Sequence, residues 1–429
     1  MTPRHLAVLG AGWAGLAAAV RARQAGHRVT VLEMSPGVGG RARSIAGPPD
    51  GLDNGQHILI GAYSRTLQLM QDIGVEPGDV LRRMPLNLRH ADGRGLSLPA
   101  GPAPIALLRG VAHCTGWSWG DRLGLMAHAM RWIAARFQCP PQWTVDRLCQ
   151  GMPRAVRSLL VDPLCIAALN TPAAEASGQV FLRVLHDALL GGHGSADLLL
   201  PRRPLDELLP APATRWLVEH DVEVRTSARA SHLTRAAGGW SVDGERFDGV
   251  LLCTSAREAA RLAASVSPDW TALAEGLAHE PIVTVYLRRP DAALPAPILA
   301  LHSDAENPAQ FVFDRHALGL PDGLLACVIS GARPWVDAGL QATADAVQQQ
   351  MLIAFPGLPW GGRPEVVRTV AEKRATFRCT PGLQRPPARI APGLVAAGDH
   401  VQGPYPATPE GAVRSAESGL RLCLADLAT

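Results

Sequence analysis

The sequence predicts an α/β protein in which a discontinuous, Rossmann-like dinucleotide-binding domain carries an inserted α+β domain. Three observations lead to this prediction. With 429 residues, the chain is long enough for two or three units that each bury a core. An apolar run, a glycine-rich turn and an alanine-rich stretch follow one another over residues 5–24, in the order strand, turn, helix. Two further strand-rich segments, residues 216–255 and 393–399, are separated from the first by long inserts.

Composition excludes several other classes of protein. A hydrophobic content of 47% with 18% charged residues is typical of an ordered globular chain rather than a disordered one. The net charge of +3 comes from scattered basic residues, so no nucleic-acid partner is expected. The eight cysteines contain no C-x-x-C pair, which predicts reduced thiols in the cytoplasm and no metal site. No run of about 18 apolar residues predicts a bilayer span, and the glycines near the start favour a nucleotide turn over a signal peptide.

The first βαβ unit carries the nucleotide-binding motif. Gly10 permits the tight turn, Gly12 with its neighbour Ala11 lets the backbone approach a pyrophosphate, and Gly15 lets helix and strand pack closely. Glu33 ends the second strand, 18 positions after Gly15, where a carboxylate accepts hydrogen bonds from ribose hydroxyls. The spacing therefore predicts a bound dinucleotide.

A second glycine-rich loop, residues 37–44, follows the ribose-binding carboxylate. Gly39 and Gly40 bring backbone amides to a phosphate, and Arg41 adds a guanidinium group. An NAD enzyme has no need of such a loop. It resembles the G-G-R loop of the flavin monoamine oxidase and phytoene desaturase superfamily, which implies FAD as the cofactor and an FAD-binding domain of the glutathione-reductase type.

A third sign of FAD lies near the other end of the chain. Residues 397–399 close a strand with Gly398 and Asp399, and a helix is expected to begin at Pro409 with Thr408 as its N-cap. In the superfamily that the chain resembles, the aspartate binds the ribityl chain and the helix directs its positive end at the flavin. The predicted cofactor contacts are completed by Val224, Glu410, Gly411 and Ala412.

Residues 53–57 lie where relatives of this kind carry a D-x-G segment along the isoalloxazine. Gln56 and His57 are therefore expected at the flavin edge. A histidine there can donate a proton near neutral pH, whereas the alternative is a structural histidine bonded to the backbone. His57 and Asp53 are the predicted catalytic residues.

Further motifs, several of them within the inserts, narrow the resemblance to the squalene-associated FAD-dependent desaturases, the hydroxysqualene dehydroxylases of bacterial hopanoid and squalene synthesis. That resemblance runs nearly end to end, and departures such as Pro409 in place of isoleucine remove no group assigned to chemistry. It implies that reduced flavin delivers a hydride to an allylic cation formed from a long-chain isoprenoid alcohol, with an unidentified electron donor. The motifs are residues 39–44, 52–57, 61–63, 163–165, 168–172, 176–177, 197–202, 372–377, 406–408 and 410–415.

The inserts define the predicted domains. Residues 1–85, 206–271 and 381–429 are expected to form the FAD-binding domain, and residues 86–205 and 272–380 the substrate-binding and membrane-facing domain. Apolar side chains in the first insert recur at helical spacing beside arginines, which fits either a core helix or a helix on a membrane surface. We expect residues 103–137 to form a tunnel mouth at the inner face of the membrane, with Leu107, Leu108, Trp117, Trp119, Leu123, Met126, Met130, Trp132 and Ile133.

Two rival functions remain open at this point. An oxidative relative, either a carotenoid or phytoene-type desaturase or an amine oxidase, would share the cofactor domain but transfer electrons the other way. Lys373 is the candidate for the lysine that amine oxidases place near the flavin. A non-enzymatic isoprenoid-binding carrier would share the architecture without using a flavin, although the intact phosphate loops speak against it.

Overall fold

Three separated segments of the chain build one six-stranded sheet. The computed structural model describes residues 2–47, 51–288, 293–320 and 323–428. Five strands run parallel, and the sixth pairs antiparallel at one edge. The central strands are near-continuous apolar runs, as expected of a parallel sheet covered on both faces, whereas the two edge strands carry charged residues. In spatial order they are β18 (Arg389–Ala391), β19 (Leu394–Ala396), β12 (Gly249–Leu252), β1 (His5–Leu9), β2 (Arg28–Leu32) and β8 (Glu223–Arg225).

Helices cover one face of this sheet and a small sheet with two helices covers the other. On the first face, α1 (Trp13–Gln24) packs between α16 (Pro409–Asp426) and α11 (Pro210–Glu219), and α2 (Ser64–Asp72) joins the same core. The opposite face buries Trp240 and Trp270. Its elements are β9 (Leu233–Ala236), β10 (Gly239–Val242), β11 (Glu245–Phe247), α12 (Ala256–Ala263) and α13 (Pro268–Glu275).

The second insert forms a five-stranded antiparallel sheet with a core on each face. One face packs on α14 (Arg333–Ala338) and α15 (Leu340–Ala354). The other face, which includes Phe311 and Phe313, packs on the helices of the first insert. In spatial order the strands are β14 (Ile298–Ala300), β15 (Phe311–Asp314), β16 (Leu324–Ile329), β13 (His279–Arg288) and β17 (Val366–Phe377).

The first insert is mostly helical. The helices are α4 (Ala103–His113), α5 (Trp119–Ala134), α6 (Val145–Leu148), α7 (Arg154–Val156), a π-helical turn (Arg157–Val161), α8 (Asp162–Leu169) and α9 (Gly178–Leu190). Short elements connect it to the rest: α3 (Pro77–Val80), α10 (Leu205–Leu208), the pair β5 (Asn87–Arg89) and β6 (Gly95–Ser97), and the sheet of β3 (Leu59–Ile60), β7 (Leu198–Pro201) and β4 (Leu81–Met84).

The predicted strands of the cofactor domain are confirmed to within one or two residues, and the predicted fold class is correct. The six strands of the main sheet all come from residues 1–85, 206–271 and 381–429, although the exact domain boundaries stay a prediction. All eight cysteines are free thiols, and burial raises the pKa of Cys253 and Cys423 to about 12. Across the part of the chain that the structure describes, no helix has both the length and the apolar character needed to cross a bilayer.

Candidate active site

One cavity of about 1070 Å³ extends from the six-stranded sheet to the helices of the first insert. Its polar end lies at the carboxyl ends of β1 and β2, where ligands bind in open α/β sheets. Its apolar end lies among α4, α5, α8 and α9 of the first insert. The cavity thus joins a nucleotide-binding cradle to a hydrocarbon-lined chamber.

The cradle is shaped by glycines. Helix α1 begins after Gly12 with no side-chain cap and no acidic residue in its first turn, so its amides are available to an anion. A Cβ on Gly15 would lie 1.8 Å from the Gly10 carbonyl oxygen, and one on Gly40 would lie 3.2 Å from the Gly12 Cα. These close approaches explain why the turn and the G-G-R loop both need glycine, and they fit a pyrophosphate between the two.

Glu33 lies where the sequence predicts the ribose site. Its carboxylate accepts hydrogen bonds from the backbone N–H of Ala11 (2.7 Å) and of Ser35 (2.8 Å), and its side chain borders the cavity. Glu33 therefore fixes the glycine turn as well as offering oxygens to a ribose. Ala11 does not line the cavity and acts through this bond.

Three other predicted cofactor contacts lie outside the cavity lining. Val224 pairs with Val31 inside the sheet and lies outside the cavity lining, which corrects its prediction as a cofactor contact. Farther along the same segment, residues 228–230 line the cavity. Gly15 serves helix–strand packing. Gly411 donates its N–H to Thr408 Oγ1 (3.1 Å) and thereby helps to start α16.

An ion pair ties the G-G-R loop to the end of β19. Arg41 Nη2 donates to Asp399 Oδ1 (2.6 Å), and Arg41 Nη1 donates to the Ala375 carbonyl (2.7 Å). Burial alone would raise the pKa of Asp399, but the Arg41 guanidinium holds it below its usual range. Asp399 is therefore ionised and placed, with Gly39, Gly40 and Gly398, along the cavity wall where the ribityl chain is expected.

Helix α16 begins as predicted, with Thr408 as N-cap and Pro409 first in the helix. Glu410 was predicted to contact the cofactor, but its carboxylate is engaged elsewhere. The carboxylate accepts hydrogen bonds from the N–H of Arg65 and from both the N–H and the hydroxyl of Thr66. Glu410 therefore caps the N-terminus of α2. The start of α16 still lines the cavity through Thr408, Pro409, Glu410 and Ala412.

His57 lines the cavity beside Gln56. Its Nδ1 lies 2.8 Å from the Gly55 carbonyl, which can only accept, so Nδ1 carries the proton and Nε2 of the neutral ring holds a lone pair. Burial lowers the pKa of His57, assisted by the charge of Arg41. At neutral pH the ring is therefore a hydrogen-bond acceptor toward the cavity.

Asp53, the other predicted catalytic residue, does not line the cavity. Its carboxylate accepts from the Ser44 hydroxyl and the Leu205 N–H, both at 2.9 Å, and lies 3.7 Å from Arg315. Burial raises the pKa of Asp53 to about 6. The structure corrects its assignment, because the carboxylate holds chain segments together and lies outside the cavity lining.

Lys373, the candidate for an amine oxidase lysine, also lies outside the cavity lining. On strand β17, Glu372 and Arg374 border the cavity while the side chain between them, Lys373, is exposed to solvent. Successive side chains of a strand point to opposite faces, which explains the difference. Glu372 accepts from Asn54 Nδ2 (3.0 Å) next to the flavin-edge segment.

Several polar residues of the cavity were not predicted. His279 and His400 border it near Arg41 and Asp399, and burial lowers the pKa of His400 to about 4. Asp187 of α9 and Tyr405 line it farther along. Tyr405 stands directly before the motif at residues 406–408, which could have drawn attention to it, whereas Asp187 has no local signal in the sequence.

Only some residues of the predicted mouth line the apolar end of the cavity, and the role of this segment as a mouth stays a prediction. Trp117 is buried, with Nε1 donating to the Ala155 carbonyl (3.2 Å), so it belongs to the core. Leu107, Met126, Trp132 and Ile133 line the cavity. An exposed apolar patch on α4 and α5 adjoins this end of the cavity. Ile133 belongs both to the patch and to the cavity lining. The patch consists of Ile105, Leu108, Trp119, Leu123, Met130 and Ile133.

The comparisons with known proteins show the family of this chain. The family described as flavin containing amine oxidoreductase matches residues 13–419. The chain is 30% identical to a hydroxysqualene dehydroxylase of Rhodopseudomonas palustris, over 97% of this chain and 98% of that protein. It is 26% identical to a protein of the same name from Sinorhizobium fredii, over the full length of both. A 15-cis-phytoene desaturase of Synechococcus elongatus is 24% identical, over 96% and 94%.

Solved structures share the fold at lower identity. An oxidoreductase from Methanosarcina mazei superposes with a TM-score of 0.69 at 17% identity, over 97% of this chain and 100% of that one. Cyclohexylamine oxidase from Brevibacterium oxydans gives a TM-score of 0.69 at 15% identity, over 99% of both chains. At these identities the likeness concerns the architecture alone.

Proposed function

We propose a function on the premise that this chain belongs to the flavin containing amine oxidoreductase family and, within it, to the hydroxysqualene dehydroxylases. The protein is an FAD-dependent oxidoreductase, and its reaction is the reductive removal of the hydroxyl group of hydroxysqualene to give squalene. The observation that carries this proposal is the single cavity that joins the FAD cradle to a chamber of aliphatic and aromatic side chains.

The residues of the chain have two tasks in this reaction. FAD, when bound and reduced, supplies the hydride that replaces the hydroxyl group. The helices of the first insert surround the isoprenoid with side chains such as Leu125, Phe137 and Leu164, and so keep water from an allylic cation. The Arg41–Asp399 pair, in which Asp399 is buried, holds the cofactor loops against the chamber.

His57 lies at the predicted flavin edge, and its catalytic role stays a proposal. With Nδ1 committed to Gly55, the neutral ring offers Nε2 as an acceptor toward cofactor or substrate. His57 can deliver a proton only after gaining one, and its lowered pKa opposes that near neutral pH. We therefore assign it to positioning at the flavin edge and place the acid elsewhere.

The exposed patch on α4 and α5 supports docking on a lipid bilayer. Its members are 51% to 73% exposed, and Ile133 connects it to the cavity. Arg109, Arg131 and Arg136 are exposed on the same segment, where they can meet anionic headgroups. Because a C30 isoprenoid is almost insoluble in water, the enzyme draws its substrate from the inner face of the membrane through this mouth.

A single-turnover experiment tests the proposed reaction. The FAD-loaded protein is reduced without oxygen, mixed with hydroxysqualene and examined for flavin absorbance and product. Squalene formed together with reoxidation of the flavin supports the proposal. A more unsaturated polyene formed from squalene by the oxidised protein would instead favour a desaturase. Because reduction is carried out chemically, the result does not depend on the natural electron donor.

A further inference from the structure

The apolar chamber contains one charged side chain among the described residues of its helices. Of the side chains from α4, α5, α8 and α9 that line the cavity, all are apolar except Asp187. The polar residue just after α8, Asn170, is already engaged, since its Nδ2 donates to Thr376 Oγ1 (3.0 Å) and its Oδ1 accepts from the Gly331 N–H (2.7 Å). A carboxylate on a hydrocarbon wall costs free energy and calls for a function.

Asp187 belongs to a hydrogen-bonded cluster that includes Tyr405. Arg183 Nε donates to Asp187 Oδ2 (3.0 Å), and Arg183 Nη2 donates to the Tyr405 hydroxyl oxygen (2.8 Å). His186 Nδ1 lies 3.0 Å from Asp187 Oδ1. Since the phenol oxygen accepts from Arg183, its own hydrogen is left to donate, either to Asp187 or into the cavity.

Two cations also flank the ring of Tyr405. The Arg183 guanidinium lies 5.0 Å and the Arg414 guanidinium 5.4 Å from the ring centroid. Arg414 is fixed in turn by Glu410 at 2.7 Å, and Arg385 donates to the Tyr405 carbonyl. These cations would stabilise the phenolate left behind after proton transfer.

Tyr405 is also close to the flavin side of the cavity. It stands three residues before Thr408, the N-cap of the helix whose start borders the cofactor, and residues 405–409 form one continuous stretch of the wall. The hydroxyl to be removed must meet both the hydride donor and an acid. Tyr405 offers an acidic O–H group at the boundary between these two regions, whereas Tyr63, the other tyrosine of the described lining, shares a hydrogen bond with Thr408.

We propose that Tyr405 is the general acid of the dehydroxylation and that Asp187 and Arg183 position it. This assignment rests on the proposed function. The C–O bond breaks with its electron pair on oxygen, the Tyr405 hydroxyl gives its proton to that oxygen, and water leaves. Reduced FAD, when bound, would supply the hydride that forms the new C–H bond and would itself be oxidised by that transfer. Solvent returns a proton to Tyr405 through Asp187 and the half-exposed His186.

The pH dependence separates Tyr405 from His57. Burial and the charge of Asp187 raise the pKa of Tyr405, and this effect outweighs the lowering by the charges of Arg414 and Arg183. The phenol therefore keeps its proton through pH 9. The acid form of His57 is already lost below neutral pH. With Tyr405 as the acid, the single-turnover rate stays flat from pH 6 to 9. A rate that falls tenfold for each pH unit across the neutral range would overturn the assignment.

The matched variants are Tyr405→Phe and Tyr286→Phe in reduced, FAD-loaded protein. Tyr286 also donates through its hydroxyl, to the Asp53 carbonyl, but does not line the cavity. We expect Tyr405→Phe to slow squalene formation by roughly 10²- to 10⁴-fold, with unchanged FAD affinity, and Tyr286→Phe to react nearly as fast as the wild type. The acetate ester of the same alcohol, whose leaving group needs no proton, should restore Tyr405→Phe to within a fewfold of the wild type.

Each failure has a distinct meaning. Equal rates for Tyr405→Phe and wild type would overturn the role of Tyr405 alone, as would an ester that reacts as slowly as the alcohol. If the wild type itself yields no squalene, the proposed function fails and the assignment fails with it. Should Tyr405→Phe not bind FAD, Asp187→Asn and the pH profile of the wild type decide the question.

Discussion

Glu33 illustrates how one side chain serves both the fold and the ligand. Its two oxygens receive the N–H groups of Ala11 and Ser35, so the carboxylate is oriented before any ribose arrives. The sequence predicted the ribose role from spacing. The bond to Ala11 was not predictable, because it depends on the distance between two loops at the strand ends.

Replacing Glu33 with alanine should weaken FAD binding by on the order of 1 to 3 kcal/mol, since it removes the ribose acceptor and the brace of the glycine turn. Titration of the apoprotein with FAD, followed by flavin fluorescence, measures this. Glu223→Ala is the matched control, because that carboxylate lies on the edge strand β8 and is exposed. Equal losses in both variants would show that Glu33 is not specific to the cofactor.

Asp53 predicts a pH dependence of stability. Burial raises its pKa to about 6 in the folded protein, from about 3.8 when unfolded. The folded state therefore binds the extra proton, and the associated stability is present below pH 3.8 and lost as pH rises to about 6. The loss amounts to roughly 3 kcal/mol. Asp53→Asn should flatten this part of the profile in urea unfolding measured from pH 4 to 8.

The control for Asp53 is Asp121→Asn. The Asp121 carboxylate is exposed, and its hydrogen bonds with Ser118 lower its pKa, so any stability that it contributes appears as pH rises. Because this titration lies below about pH 3.8, Asp121→Asn should leave the profile from pH 4 to 8 nearly unchanged. A profile for Asp53→Asn identical to that of the wild type would place the titration at another buried group.

At the level of elements, α16 was partly predictable. Thr408 and Pro409 are local signals, and both occupy the predicted cap positions. The use of Glu410 as the N-terminal cap of α2 was not predictable, because Arg65 and Thr66 are far from it in sequence. The contact makes α2 and α16 one packed unit behind the cofactor.

Glu410→Ala should lower stability by about 1 to 3 kcal/mol, since it leaves the first amides of α2 without their carboxylate acceptor and frees Arg414. Thermal unfolding of the FAD-loaded protein measures the effect. Glu275→Ala, on the short helix α13, is the control and should be close to neutral. A similar midpoint for both variants would mean that water replaces the Glu410 cap without cost.

Helix α5 shows why hydrophobic spacing alone could not decide between core and membrane surface. Trp117 and Trp119 are two residues apart, yet the first is buried and the second is 73% exposed. Trp119 is the first residue of α5, which starts with a Ser118–Asp121 capping box, and Trp117 precedes that cap. Trp117 is buried because it packs near Ala155 and donates to its carbonyl. This long-range contact cannot be read from the spacing of hydrophobic residues.

At the scale of the whole molecule, the cofactor half of the site could be predicted and the substrate half could not. Glycine turns, caps and strand-end carboxylates are local rules, and they located Gly10, Glu33 and Asp399. The chamber is assembled from helices and sheets whose contacts are long-range, and Asp187 meets Tyr405 only through that assembly. Long-range packing therefore sets the limit of prediction.

Membrane docking is a property of the whole surface. Trp119→Ser combined with Leu123→Ser should reduce co-sedimentation with anionic vesicles at least tenfold, because each buried apolar side chain contributes about 1.5 to 3 kcal/mol. Ile353→Ser is the control, since Ile353 is 63% exposed on α15. Trp117→Ser should instead lower the unfolding temperature. Unchanged sedimentation of the double variant would move the mouth to another surface.

The segmented main sheet also orders events in time. Strands β1 and β2 leave the ribosome first, but β19 and the start of α16, which complete the FAD cradle, are made last. At roughly 5 to 20 residues per second, the nascent nucleotide turn waits on the order of 20 to 80 seconds for its partners. During that interval the apolar face of α1 that packs on α16 in the folded protein stays uncovered, and chaperones can bind it. We therefore expect FAD to bind only after β19 and the start of α16 have been made, so that flavin supply affects the yield of folded protein once the cradle is assembled.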